Sequence, residues 1–261
     1  MMPTLVFDIE TIPDVAGLRR VHALPPSLTD DDVLTSALQQ RRAASGSDFM
    51  PPHLQRVVAI ACVLREGTAF RVWSLGEPGD PEPELIRRFF DGLDRYTPQL
   101  VSWNGSGFDL PVLNHRSLMY GVAAARYWDW GDDDRDFKFN NYLNRYHSRH
   151  LDLMDTLAAY QPRSFAGLHA MARLCGFPGK LGFDGSQVYA AHTAGRLEEI
   201  RRYCETDAMN TYLLFLRFQL VRGCLTGGQY AAEVSFARER ILASGQPHWL
   251  EFVAAWDANA A

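Results

Sequence analysis

The sequence predicts an α/β protein with a mixed central sheet flanked by helices. Three observations lead there. "TLVFDIE" near the N-terminus alternates like a strand. "RVVAIACVLR" and "TAFRVWSL" are two β-rich runs joined at Glu66-Gly67, as in a hairpin. Amphipathic helical stretches then interleave with short strands, an order that calls for antiparallel and parallel pairing in one sheet.

The first strand runs from Thr4 to Glu10, with Leu5, Phe7 and Ile9 on one face and Val6, Asp8 and Glu10 on the other. Pro13 soon ends it. Residues 14–52 read as a polar insert with one helix, about Asp30 to Ala44, capped by "SLTDDD" and closed by "RR" in accord with the helix dipole. After the hairpin, "DPEPELIRRFFDGLDRY" reads as an amphipathic helix, "QLVSWN" as a strand, and Leu110 to Gly121 as a helix. An aromatic and acidic loop, Arg126 to Asn144, leads to a short strand or turn at "HLDLMDT". Helices are expected at Ser164 to Cys175 and Gly195 to Arg222, and a tail from Gly227 carries two more helical segments around Pro247. The domain reading is a main unit over 1–224, containing the insert, and a C-terminal helical extension over 225–261.

With 47% hydrophobic residues, 261 residues are enough for a sizeable core. The net charge of −5 argues against life on duplex DNA through many phosphate contacts. It leaves room for a protein that grips one strand end at a metal-bearing cleft. Four scattered cysteines without a Cys-x-x-Cys pair disfavour zinc ribbons and disulfide frameworks. Neither a signal peptide nor a membrane-length apolar run is present in the sequence, so a soluble, cytoplasmic protein is the expectation.

Several carboxylates stand where chemistry can be done. Asp8 and Glu10, two apart on a strand, leave the same face and can converge on one cation. Asp109, in "LVSWNGSGFDLPVL", follows a buried strand and a Gly-rich turn at the start of a helix. Ligands bind at such strand ends, although a plain helix N-cap has the same appearance. Gly105 and Gly107 would let backbone pass close to a substrate, with plain shaping of the turn as the alternative. In "RRYCETDAMNTYLLF", Leu197, Ile200, Cys204, Ala208, Thr211, Phe215 and Phe218 form a core stripe, with Tyr203, Asp207 and Asn210 on its flank. A boundary tyrosine over an exposed acid would look alike. Together, Asp8, Glu10, Asp109 and Asp207 can hold two divalent cations about 4 Å apart for phosphoryl displacement, with Tyr203 orienting water.

"FDIET", "NGSGFDLPVL" and "YCETD" resemble, in order, the three exonuclease motifs of the DEDD superfamily of 3′–5′ exonucleases. The Tyr-x-x-x-Asp form of the third motif is that of the DEDDy branch. Within it the chain resembles the predicted 3′–5′ exonucleases related to the proofreading domain of family-B DNA polymerases, over about Pro3 to Arg222. The resemblance implies a ribonuclease-H-like fold, two Mg²⁺ or Mn²⁺ ions, and stepwise release of nucleoside monophosphates from a single-stranded 3′ end. It gives the metals to Asp8, Glu10, Asp109 and Asp207 and the water to Tyr203. It maps contacts to the terminal nucleotide onto Thr11, Asn104 and Phe108. Stacking on Phe108 agrees with single-strand binding, and core packing remains its alternative. DNA is preferred to RNA as substrate, with an exoribonuclease or a non-catalytic nucleic-acid-binding member as alternatives. The insert is longer than a bare core needs, as if to cover or line the cleft. No polymerase domain follows in the sequence, so proofreading would act in trans or give way to another task such as DNA repair.

Other groups carry less. Asp152 reads as a cap or a support to the site, beside His150 and Asp155. "WDWGDDDRD" reads as a solvated loop and lacks the ligand alternation of a calcium site. Lys180 and Arg163 are candidates to meet phosphate, and the histidines lack zinc-hydrolase spacing.

Overall fold

The computed structural model describes residues 2–260. Its sheet has five strands, β1 (Thr4–Pro13), β2 (Gln55–Glu66), β3 (Ala69–Ser74), β4 (Gln99–Ser102) and β5 (His150–Asp152). They lie in the order β3-β2-β1-β4-β5. The hairpin makes β2 antiparallel to both β1 and β3, whereas β1, β4 and β5 are parallel. This is the mixed α/β sheet that the sequence predicts.

The alternation in β1 sorts its side chains into two cores. Leu5, Phe7 and Ile9 enter one core, shared with α3 (Glu82–Tyr96) and α4 (Asp109–Tyr120). Val6 and Ile12 enter the other, under α8 (Leu197–Val221). Pairing shifts between Glu10, opposite Ala59, and Thr11, opposite Val57, so Val58 is the extra residue of a β-bulge. Beyond it β1 continues to Pro13.

The long helix α8 departs from the amphipathic picture. Asn210, expected on its polar flank, is fully buried, as are Thr206 and Asp207 nearby. The sheet covers one side of α8. Its other sides meet α6 (Leu168–Leu174), α7 (Val188–Thr193) and α9 (Gly227–Ala243). The last helix, α10 (Pro247–Ala260), packs on α9 and adds Trp249, Phe252 and Trp256 to the same core. Asn210 is satisfied by Gly179, whose N–H it accepts at 3.1 Å and to whose carbonyl it donates at 3.1 Å.

The insert holds two helices where the sequence indicated one. α1 (Val15–Val21) is short and contains Gly17, which weakens its helical signal, and α2 (Asp30–Ser45) starts from the Thr29–Asp32 capping box. Leu18, Val33, Met50 and Leu54 give the insert a small core of its own. Between β5 and the rest lies α5 (Leu153–Leu157). Among the described residues no helix is long and apolar enough to cross a membrane.

A buried ion network ties the insert to the body. The side chain of Arg116, on α4, is 2% exposed and pairs with Asp14 at the start of α1 and Glu82 at the start of α3. Glu82 also accepts the Val57 N–H at 2.7 Å and the Tyr120 hydroxyl at 2.8 Å. Removing one partner from such a network leaves the others charged and buried. Arg116→Met is therefore expected to lower stability in urea unfolding by about 3–5 kcal/mol. A loss under about 1 kcal/mol would mean that Asp14 and Glu82 reach water without it.

Candidate active site

The acidic face of β1 looks toward α8. Alternation delivers Asp8 and Glu10 there, just before the bulge, and Glu10 is 8% exposed. Cys204 of α8 packs against them. Its Sγ donates to the Asp8 carbonyl at 3.3 Å and to Asp8 Oδ2 at 3.5 Å. Donor atoms of Asp8, Glu10 and Cys204 all lie within 4.8 Å of one another. The thiol is held protonated first by burial and then by the Asp8 and Glu10 carboxylates.

Asp109 arrives from the other side. Pairing of β1 with β4 ends at Val6, so the next free amide on that edge, that of Ile9, needs a partner. Asp109 Oδ1 accepts it at 3.2 Å. The cap position of α4 belongs to Phe108, which makes no side-chain cap bond, so Asp109 is the first helical residue and does not cap it.

The turn before it is shaped by close internal packing. Asn104 takes the left-handed conformation, φ +66°. A Cβ on Gly105 would fall 2.2 Å from Ser102 Oγ, and one on Gly107 would fall 2.5 Å from Asn104 Oδ1. The glycines thus let the turn fold onto itself, which is the turn-shaping alternative read in the sequence. Asp152 holds the turn from β5, accepting from the N–H groups of Asn104 and Ser106 at 3.0 and 2.9 Å, and it caps α5 as well.

On α8, Tyr203 and Asp207 lie one turn apart. Lys180 Nζ sits 3.2 Å from Asp207 Oδ2 and also contacts the Tyr203 hydroxyl. The Asn210–Gly179 pair fixes the backbone beside Lys180, and the Lys180 N–H donates to His169 Nδ1 at 3.0 Å. Asp207 Oδ1 is buried with no hydrogen-bond partner among the described residues.

Asp8, Ile9, Glu10, Thr11, Asn104, Phe108, Asp109, Tyr203 and Asp207 line one cleft of about 390 Å³. The residues to which the resemblance gives the metals, the water and the terminal nucleotide are therefore all brought to it. Lys180 lines it too, while Arg163 does not. The Thr11 hydroxyl donates to Gln55 Oε1 at 3.1 Å. Phe49, from the insert, lies at the cleft with its ring 5.2 Å from that of Phe108. Sequence reasoning passed over Phe49 and the role of Cys204. The one signal for Phe49 was a bulky aromatic stranded in "SGSDFMPP".

The electrostatics reflect crowding. Burial, then neighbouring carboxylates, raise Asp8 and Glu10 well above the usual acid range, against the opposing pull of Lys180. Burial pushes Asp109 up to about 7. Burial also raises Asp207, although Lys180 pulls it down. Lys180 resists its own burial because Asp207, Asp8 and Glu10 stabilise its charge. Hard oxygen donors, an orphaned Asp207 oxygen and mutually repelling acids fit divalent cations such as Mg²⁺ or Mn²⁺.

The sequence matches, over residues 47–256, the family described as predicted 3′–5′ exonucleases related to the exonuclease domain of PolB. The matched span begins after β1, so Asp8 and Glu10 lie outside it, and it includes most of α10. The chain is 24% identical over 144 residues to a catalytic chain of DNA polymerase epsilon from Saccharomyces cerevisiae. It is 23% identical over 147 residues to a catalytic chain of DNA polymerase epsilon from Arabidopsis thaliana. Each match covers 52% of this chain and 6% of the polymerase chain. The five-stranded sheet with flanking helices agrees with a ribonuclease-H-like exonuclease domain.

In the metal-free protein, folded Asp109 keeps its proton to about 7, whereas an unfolded chain releases it near 3.8. The folded state then binds more protons, so this group costs stability as pH rises through that window. His150, pushed down to about 4 by burial, acts in the opposite sense. The comparison with Asp109→Asn isolates the effect. In EDTA, melting temperatures from about pH 5 to about pH 8 should fall more steeply for wild type than for Asp109→Asn, and Mg²⁺ should recover wild type mainly at the upper end. Parallel profiles for the two proteins would refute a buried, proton-holding Asp109.

Proposed function

The chain belongs to the family of predicted 3′–5′ exonucleases related to the exonuclease domain of PolB, and from that membership we propose that it removes nucleotides stepwise from the 3′ end of single-stranded DNA by metal-dependent hydrolysis. The observation that carries this reading is the convergence of Asp8, Glu10, Asp109, Tyr203 and Asp207 on one cleft. The similarity to DNA polymerase chains favours DNA over RNA.

In this reading Asp8, Glu10, Asp109 and Asp207 hold two Mg²⁺ or Mn²⁺ ions. When bound, these ions supply water activation and neutralise charge on the phosphate and leaving oxygen. Water oxygen attacks phosphorus, the bond to the upstream O3′ breaks, and a nucleoside 5′-monophosphate leaves. Tyr203 positions the water. Burial first, then Asp207 and Glu10, raise its phenol, so it acts as a neutral O–H group and not as a base. Lys180 steadies Asp207 and Tyr203 and stands beside them to meet phosphate charge. Thr11, Asn104 and Phe108 hold the terminal nucleotide, with Phe108 stacking on its base.

With Mg²⁺ or Mn²⁺, wild-type protein should shorten 5′-labelled single-stranded DNA from its 3′ end, and Asp8→Ala or Asp207→Ala should abolish this. Tyr203→Phe is expected to lower kcat about 100-fold while calorimetry finds cation binding close to wild type. The same assay on RNA ranks the two substrates. Indistinguishable behaviour of wild type and the Asp8→Ala/Asp207→Ala double variant on both would refute the nuclease reading.

A further inference from the structure

A second cleft of about 440 Å³ opens beside the acidic one. Three stretches of chain build both. Asn104 lines each of them. Around α5, Met154 lines the acidic cleft while Asp152 and Asp155 line the second. Phe165 lines the second, and Gly167 and Leu168 the first. Trp103 Nε1 donates to the Ala166 carbonyl at 3.1 Å and ties that last segment across the junction. The two clefts meet at the Asn104 turn, which makes them neighbouring lobes.

The second lobe has aromatic rims and a floor whose acids are hydrogen-bonded within the protein. Trp128 and Phe165, both lining this cleft, are 43% and 39% exposed, so their ring faces are open to a ligand. Trp128 is steadied edge-on by Tyr127, with ring centroids 5.1 Å apart. The acids of this lobe are engaged. Asp152 accepts three backbone N–H groups, and Asp155 is gripped by Nε and Nη2 of Arg145 at 3.2 and 2.7 Å. Those bonds leave Nη1 of Arg145 for another partner, and its guanidinium lies 5.1 Å from the Tyr160 ring centroid.

We infer that this lobe is the track for the nucleotides just upstream of the 3′ terminus, with Trp128 and Phe165 stacking on their bases and Arg145 beside their phosphates. The inference rests on the exonuclease reading above. Continuity names the occupant, because a strand whose last nucleotide lies at the acids can leave through the neighbouring lobe. Aromatic faces accept any base, and only unpaired bases can turn onto them, so the track selects single strands without reading sequence. The competing exit runs over Phe49, whose ring lies 5.2 Å from that of Phe108.

The test uses the full chain and 5′-fluorescein oligothymidylates from dinucleotide to octanucleotide. With EDTA present, fluorescence anisotropy reads binding without cleavage. Trp128→Ala and Phe165→Ala should each weaken octanucleotide binding about tenfold, with a loss that shrinks toward the dinucleotide. With Mg²⁺ the same variants should raise KM on the octanucleotide and keep kcat, and Trp128→Phe should restore most of the affinity. Unchanged octanucleotide binding in both alanine variants overturns the track, as does a loss confined to Phe49→Ala. Equal losses at every length also overturn it, because the substitutions would then act through the acids or the fold. Wild-type protein that neither binds nor shortens any oligothymidylate, with Mg²⁺ or Mn²⁺, overturns the exonuclease reading itself and the track with it.

Discussion

Repulsion among buried carboxylates is the constraint around which the protein is arranged. Donor atoms of Asp8 and Glu10 lie within 4.8 Å of each other. At that range two full charges repel by about 3 kcal/mol at an effective dielectric near 20, before any cost of desolvation. Asp109 and Asp207 add to this, and one lysine cannot neutralise four acids. Burial displaces the ionisation of all four acids upward, and at Asp8 and Glu10 the neighbouring carboxylates add to it, so without cations these acids keep protons. The groups nevertheless stay together, because each is fixed by an element that cannot yield. β1 is the central strand, Asp109 is bound to its backbone, and α8 is enclosed by helices on the sides that the sheet leaves open.

Around this rigid floor the cleft walls come from less regular chain. Phe49 belongs to the insert, the Asn104 turn follows a four-residue strand, and Phe165 to Leu168 bridge a short 3₁₀ turn and α6. Under the proposed function, this division of labour is physically sensible. Charged groups need fixed positions to share cations, whereas a chain of nucleotides needs surfaces that tolerate different bases.

Much of this was legible in residue order. Period-two alternation set the facing of Asp8 and Glu10, Glu66-Gly67 marked the hairpin, and the strand-to-helix stretch ending at Asp109 marked the edge where the acids meet. Helix-periodic spacing located α8, but its surroundings depend on α6, α7 and α9, so a flank that looks solvent-facing in the sequence is interior. The bulge at Val58 has no residue-type signature, because it arises where pairing changes partner. α1 and α7 are too short to establish a period. Phe49, Cys204 and the Gly179–Asn210 link depend on contacts between distant parts of the chain, which local patterns do not encode. The glycines of the Asn104 turn were legible as turn formers, whereas the atoms that require them, in Ser102 and Asn104, were not.

The Arg116 network has a bearing on protein engineering. The insert looks dispensable, a polar excursion between the first two strands that a designer of a minimal enzyme would loop out. Asp14, however, supplies half of the negative charge around a guanidinium 2% exposed in the body of the protein. Excising the insert together with Asp14 would leave Arg116 with Glu82 alone and open its shielding to water. A compact derivative therefore has to redesign position 116 at the same time, while keeping at 82 an acceptor for the Val57 N–H. The excursion and the core are one electrostatic unit, and they can be shortened only together.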